Sequence, residues 1–152
     1  LAMSESFFMS NMSPQEPSFN RGIWKELEAQ VRDWSRANKH LYVITGPILT
    51  TRAKKRIGDN YVAVPSHYYK ALLDYSQPEV KAIAFILPNI KSDRPLDEYA
   101  TSIDDLEART KLDFFSELPD KLEAKLESEF NVNRWIFDES RYQTRLRIWN
   151  NQ

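Results

Sequence analysis

The sequence predicts a mixed α+β domain, and three observations carry that expectation. Apolar residues recur at three- and four-residue steps between Asn20 and Ala37, which puts one apolar stripe on a helix. Short β-branched and aromatic runs at 41–45, 61–64 and 81–87 each stop at a proline or a Gly-Pro pair, as strands do. A second amphipathic stretch follows over 119–130. Strands interleaved with helices in this way point to an α+β or mixed α/β architecture.

Taken in order, residues 1–19 read as an irregular lead-in, because Pro14 and Pro17 argue against a helix there. In the first helix, expected over Asn20–Ala37, the stripe is Ile23, Trp24, Leu27, Val31 and Trp34, with Ser18 or Asn20 as its cap. Lys39 and His40 near its end suit the helix dipole. Leu41–Thr45 is a strand closed by a turn at Gly46-Pro47, and Tyr61–Val64 is a second strand. By pattern alone, His67–Asp74 fits strand and helix equally. Lys81–Leu87 is a continuous apolar run, the signature of a strand buried on both faces. Ser102 is placed to cap a helix whose first turn carries Asp104 and Asp105. The helix over Pro119–Phe130 turns Leu122 and Leu126 inward. Asn131–Gln152 mixes Arg134, Arg141, Arg145 and Arg147 with Trp135, Tyr142 and Trp149. It fits a terminal helix packing Trp135, Ile148 and Trp149 onto the domain, or a basic arm on a nucleic-acid backbone.

The chain's 152 residues suffice for one domain with a substantial core. A net charge of −1 means that any polyanion-binding surface must be a local patch. With no cysteine there is no disulfide, thiolate nucleophile or cysteine zinc site, and the compartment stays undecided. Three glycines leave no room for a glycine-rich phosphate loop, and no apolar run is long enough to span a bilayer. The opening Leu1-Ala2-Met3 is neither an initiator methionine nor a signal sequence, so the chain reads as cut from something longer.

Among the residues that could do chemistry, His40 and His67 have no partner at a ligand spacing. Both read as surface or capping histidines. On the first helix, Glu28 and Arg32 stand one turn apart on one flank, with Arg21 and Lys25 beside them. Taken alone, that pattern is a solvated face with an i,i+4 pair worth about 0.3–0.5 kcal/mol.

A set of ordered blocks changes the reading. Glu5-Ser6-Phe7 through Ser10-Asn11-Met12-Ser13-Pro14-Gln15, then Phe19-Asn20-Arg21-Gly22-Ile23-Trp24 and Leu27-Glu28, resemble the DNA/RNA non-specific endonuclease family. Further blocks follow in the family's order: Val43-Ile44-Thr45-Gly46-Pro47, Val64-Pro65 with Tyr69-Lys70, Ala84-Phe85 with Leu87-Pro88-Asn89, and Thr110 through Phe115. Together they cover about residues 3–130.

The resemblance implies the ββα-metal (His-Me finger) endonuclease fold, a mixed sheet with flanking helices, here without its N-terminal strands. It therefore makes His67–Asp74 a strand. The partial nuclease domain would span residues 1–130, with 131–152 a C-terminal extension packed on it. Asn20 corresponds to the family's protein ligand for a catalytic Mg2+ (or Mn2+). Glu28 matches the active-site glutamate that keeps the metal's water in place, and Arg32 the arginine facing the scissile phosphate. Asn11 and Gln15 match supporting polar residues.

The implied activity is sequence- and sugar-indifferent hydrolysis of DNA and RNA, leaving 5′-phosphate ends, with contacts made to phosphates. The general base belongs to an Asp-Arg-Gly-His motif that this chain lacks, so no residue here is assigned that role. The base is expected from a missing N-terminal segment of the same protein, and the isolated chain is expected to be inactive. The competing reading is a non-catalytic remnant that binds nucleic acid or a partner. Without upstream strands the sheet should show an open edge that another segment or partner covers, and a homodimer is compatible. Family members are often exported, which suggests an extracytoplasmic site.

Overall fold

The computed structural model describes residues 12–38, 40–49 and 53–150. Four antiparallel strands make the central sheet in the order β1-β4-β5-β6: β1 (Leu41–Ile48), β4 (His67–Asp74), β5 (Lys81–Pro88) and β6 (Ala100–Thr101). Two short strands, β2 (Lys55–Ile57) and β3 (Val62–Val64), form a separate hairpin. Its turn needs positive φ at Gly58 (68°) and at Tyr61 (51°), so the strand expected from Tyr61 begins one residue later. β2 had no signature in the sequence.

One helical rod crosses one face of the sheet. It comprises a turn α1 (Pro17–Phe19), a π-type segment (Asn20–Trp24) and α2 (Lys25–Ala37). The rod starts three residues before the expected Asn20. Proline is tolerated in a helix's first turn, where its missing N–H has no intrahelical partner to lose. Neither Ser18 nor Asn20 caps it: Glu16 precedes the first turn, without a side-chain cap, and accepts from Asn20 N at 2.9 Å. The rod kinks at buried Gly22 (φ −97°, ψ −113°), inside the segment that carries Asn20.

The core has two halves, one on each side of the sheet. Beneath the rod, Phe19, Ile23, Trp24, Leu27 and Trp34 pack on Tyr68 and Leu72 of β4 and on Ile83, Phe85 and Leu87 of β5. On the opposite face, Tyr69, Ala71 and Leu73 alternate with them and meet Ile103 and Leu106 of α3 (Ile103–Thr110) and Leu126 of α4 (Asp120–Ser128). Strands covered on both sides have no polar face, which is why β5 reads as an unbroken apolar run. It also explains why β4 could not be told from a helix by alternation. Ser102 caps α3, accepting from Asp105 N at 3.1 Å.

β1 does not stop at Gly46-Pro47 as expected; the strand runs through to Ile48. Among the described residues β1 is an edge strand, where a proline N without hydrogen costs no ladder bond on the open side. Gly46 is needed there because a Cβ would lie 2.7 Å from the Tyr69 hydroxyl of the paired strand. Along this edge Tyr42, Val43 and Ile44 are exposed.

The segment after α4 turns back to the rod. Gln30 Nε2 and Trp34 Nε1 both donate to Ile136 O, at 2.9 and 2.8 Å, and Trp135 is buried against Trp34. α5 (Glu139–Asn150) then lies along α2. Arg145 is buried, whereas Ile148, expected to pack, is 54% exposed. The expected packing of Trp149 falls outside the described side chains. Among the described residues, no helix is long and apolar enough to cross a membrane.

Candidate active site

The rod, the stretch Met12–Glu16 and the end of β1 enclose an open cleft of about 370 Å³. Its position follows from a few buried polar contacts. Asn89, just after β5, donates to Pro65 O at 2.9 Å and Pro14 O at 3.2 Å, and accepts from Glu16 N at 2.8 Å. The Tyr68 hydroxyl donates to Pro14 O at 2.9 Å and lies 2.8 Å from Ser13 Oγ. Burial holds that phenol above its ordinary pKa, with the Ser13 contact opposing. These bonds seat Ser13 and Gln15 on the cleft wall.

Glu28 lines the same cleft from the rod, opposite Thr45 and Gly46 of β1. Asn20 is exposed and does not itself line the cleft, but gives its Nδ2 to Gln15 Oε1, which does; Asn20 Oδ1 is left without a hydrogen bond among the described residues. Arg32 is one turn past Glu28, exposed, and its guanidinium has no ion pair among the described residues. The i,i+4 pair of Glu28 with Arg32 is therefore not formed. Asn11 lies outside the described residues.

Beneath the cleft sits a residue to which the sequence pattern gives no prominence. Lys70, in the middle of β4, is 7% exposed. Its Nζ donates to Thr45 Oγ1 at 3.0 Å and lies 4.4 Å from the centre of the Trp24 ring. Burial pulls its pKa below the ordinary lysine value, and the Glu28 carboxylate pulls it partly back. The signal in the sequence was a lysine within an otherwise buried run; it became readable only once that run was known to be a strand.

Compared with known proteins, residues 1–121 match the family model for DNA/RNA non-specific endonuclease. The chain belongs to that endonuclease family. It is 32% identical over 125 residues to mitochondrial endonuclease G of Homo sapiens, a match covering 74% of this chain and 42% of that protein. With mitochondrial nuclease EXOG of Xenopus laevis the identity is 38% over 131 residues, covering 77% and 37%. Nuclease C1 of Cunninghamella echinulata var. echinulata is 36% identical over 129 residues, covering 77% and 51%. The solved EndoG/EndoGI complex superposes with a TM-score of 0.67 at 32% identity, covering 77% of this chain and 53% of that one. The expected α+β fold of the endonuclease family is thus the observed one, and the chain spans about two-fifths to half the length of these relatives.

Neither histidine of this family member reaches the cleft. His40 is exposed before β1, its N–H donating to Ser76 Oγ at 3.3 Å. His67 opens β4 on the α3 side of the sheet, 3.0 Å from Ser66 Oγ, and is held below its ordinary pKa by burial and by the Arg109 guanidinium. A second set of oxygen donors lies on that same side. Asp104, Glu107 and Glu127, and Asp113, Glu123 and Glu127, form two groups whose carboxylate oxygens come within 4.8 Å of one another.

Proposed function

We propose that this chain carries the metal-binding and charge-stabilising part of a divalent-metal-dependent endonuclease that hydrolyses DNA and RNA without regard to sequence or sugar. The observation that supports this most is the cleft lined by Gln15 and Glu28, with Asn20 tied to Gln15 by a hydrogen bond and Arg32 one helical turn past Glu28. The oxygens of Gln15, Asn20 and Glu28 are hard neutral and anionic donors, which suits Mg2+ or Mn2+. Asn20 is oriented for the ion because its amide nitrogen is already used by Gln15.

Bound there, the ion would act as a Lewis acid on the phosphate. Glu28 accepts hydrogen bonds from water in the cleft and holds it in register with the phosphate. Arg32, planar, permanently charged and without an ion pair among the described residues, faces the scissile group and offsets the charge that builds up on it. Gln15 fixes Asn20. Contacts confined to phosphate leave base and sugar unread, so both nucleic acids are substrates, and products carry 5′ phosphates. The proton of the attacking water goes to a histidine outside this chain, since His40 and His67 are both away from the cleft. The chain alone is therefore inactive.

The test is digestion of plasmid DNA and of RNA by this chain and by the full-length protein that contains it, with Mg2+ and with a chelator. The full protein should cut both substrates only with metal, and the chain should cut neither. In the full protein, Asn20→Ala, Glu28→Ala and Arg32→Ala should each lower kcat by about 10²–10³-fold. Near-normal rates would remove those assignments. Binding without cleavage by the full protein would instead support a non-catalytic nucleic-acid-binding role.

A further inference from the structure

We propose that Lys70 is a positioning residue for Glu28: its buried ammonium, anchored by Thr45 and the face of Trp24, holds the carboxylate in its working place. This inference rests on Glu28 being the acting carboxylate of the cleft. Lys70 does not line the cleft; Trp24 and Thr45, which touch it, do. It therefore acts through Glu28 and not on substrate.

An ammonium inside a sheet is costly, and packing alone does not call for one. Leu72, two residues on and on the same face, fills the equivalent space with no charge. The cost of burial must be met by partners. Lys70 has a single hydroxyl acceptor and an aromatic face, and among the described residues no carboxylate lies within ion-pair distance of it. Glu28 lines one cleft with Thr45 and Trp24, the two groups that anchor Lys70, and its carboxylate opposes the effect of burial on the lysine. Lys81, the other lysine set over a tryptophan, shows what a structural lysine looks like here. It lies 4.8 Å from the Trp135 ring, donates to Arg134 O at 2.8 Å and has Asp74 at 3.8 Å. Its charge is met locally, whereas that of Lys70 is left to act on the cleft.

Four variants of the full-length protein test this, each with kcat, KM for DNA in Mg2+, and Tm: Lys70→Met, Lys70→Arg, Glu28→Gln and the Lys70→Met/Glu28→Gln double variant. Lys70→Met keeps the volume and removes the charge. Its Tm should hold or rise, while kcat falls about 10–100-fold and KM changes less than about 3-fold. Lys70→Arg should recover part of the rate.

In the Glu28→Gln background, Lys70→Met should cost less than about 3-fold further, because the two residues work as a unit. The Tm gain from Lys70→Met should be larger there, since the carboxylate no longer offsets the burial cost. Should Lys70→Met fail to fold, Thr45→Val removes only the anchoring hydroxyl and should still lower kcat at unchanged KM.

A folded Lys70→Met with wild-type kcat overturns the proposal, as does an equal loss in both backgrounds. Full activity in Glu28→Gln would instead mean that the site reading itself has failed. An inactive Glu28→Gln beside a fully active Lys70→Met would sink only the role of Lys70.

Discussion

Replacing Arg145 by methionine should cost the protein a large share of its stability, although the residue lies near the end of the chain and outside the segment matched to the family. Its Nε donates to Glu26 Oε2 at 2.6 Å, its Nη2 to Arg94 O at 2.7 Å, and its Nη1 to Ser92 O. The side chains of Arg145 and Glu26 are 4% and 7% exposed. Arg145→Met leaves a carboxylate buried under α5 without its partner and strips two carbonyls of donors. Breaking one side of a buried pair costs about 3–5 kcal/mol, because the remaining charge has been desolvated for nothing. At about 2–4 °C per kcal/mol for a domain of this size, Tm should fall by about 6–20 °C.

Urea unfolding followed by tryptophan fluorescence should show the midpoint falling with the m-value unchanged. The double variant Glu26→Leu/Arg145→Met should recover most of the loss, since apolar replacement of a whole buried pair is close to neutral. A loss below about 1 kcal/mol in the single variant would refute the reasoning. It would show that α5 is not held to α2 by this pair, and would favour the basic-arm reading. We propose that residues 131–150 are instead an integral, packed extension.

Two further outcomes follow from local geometry. Gly46→Ala sets a methyl 2.7 Å from the buried Tyr69 hydroxyl, so it should destabilise by about 1–3 kcal/mol in urea unfolding. Adding Tyr69→Phe, which deletes the clashing oxygen, should relieve part of it; a neutral Gly46→Ala would show that the contact yields. Glu127 is pushed up to about 7 by burial, and then by Glu107, Glu123, Asp104 and Asp113. Between the ordinary glutamate value and 7 the folded chain holds a proton that the unfolded chain has released, so this site's stability contribution is lost as pH rises through that window. Glu127→Gln should flatten the fall in Tm between pH 5 and pH 8, and an unchanged slope would exclude Glu127 as its source.

Much of the scaffold was legible in the sequence. The stripe from Ile23 to Trp34 announced α2, the run from Lys81 to Leu87 announced β5, and Ser102 announced α3, because each signal is local and repeats at its own period. The ordered blocks around Asn20, Glu28 and Asn89 announced the family. The errors fell where distant residues decide. Pro17 argues against a helix interior yet opens one here. Gly46-Pro47 reads as a turn, but it lies within an edge strand whose open side needs no N–H and whose paired Tyr69 leaves no room for a Cβ.

By itself, then, the sequence determined the helix and strand periods, the family and the side chains available for chemistry, all of which depend on residue type and spacing. Only the tertiary structure decided which charges are buried and what meets them. Lys70 and Arg145 look like surface residues until β4 is covered by the rod and α5 lies on α2. A charge's energy depends on the dielectric and the partners around it, and these are supplied by residues 25 and 119 positions away in the chain.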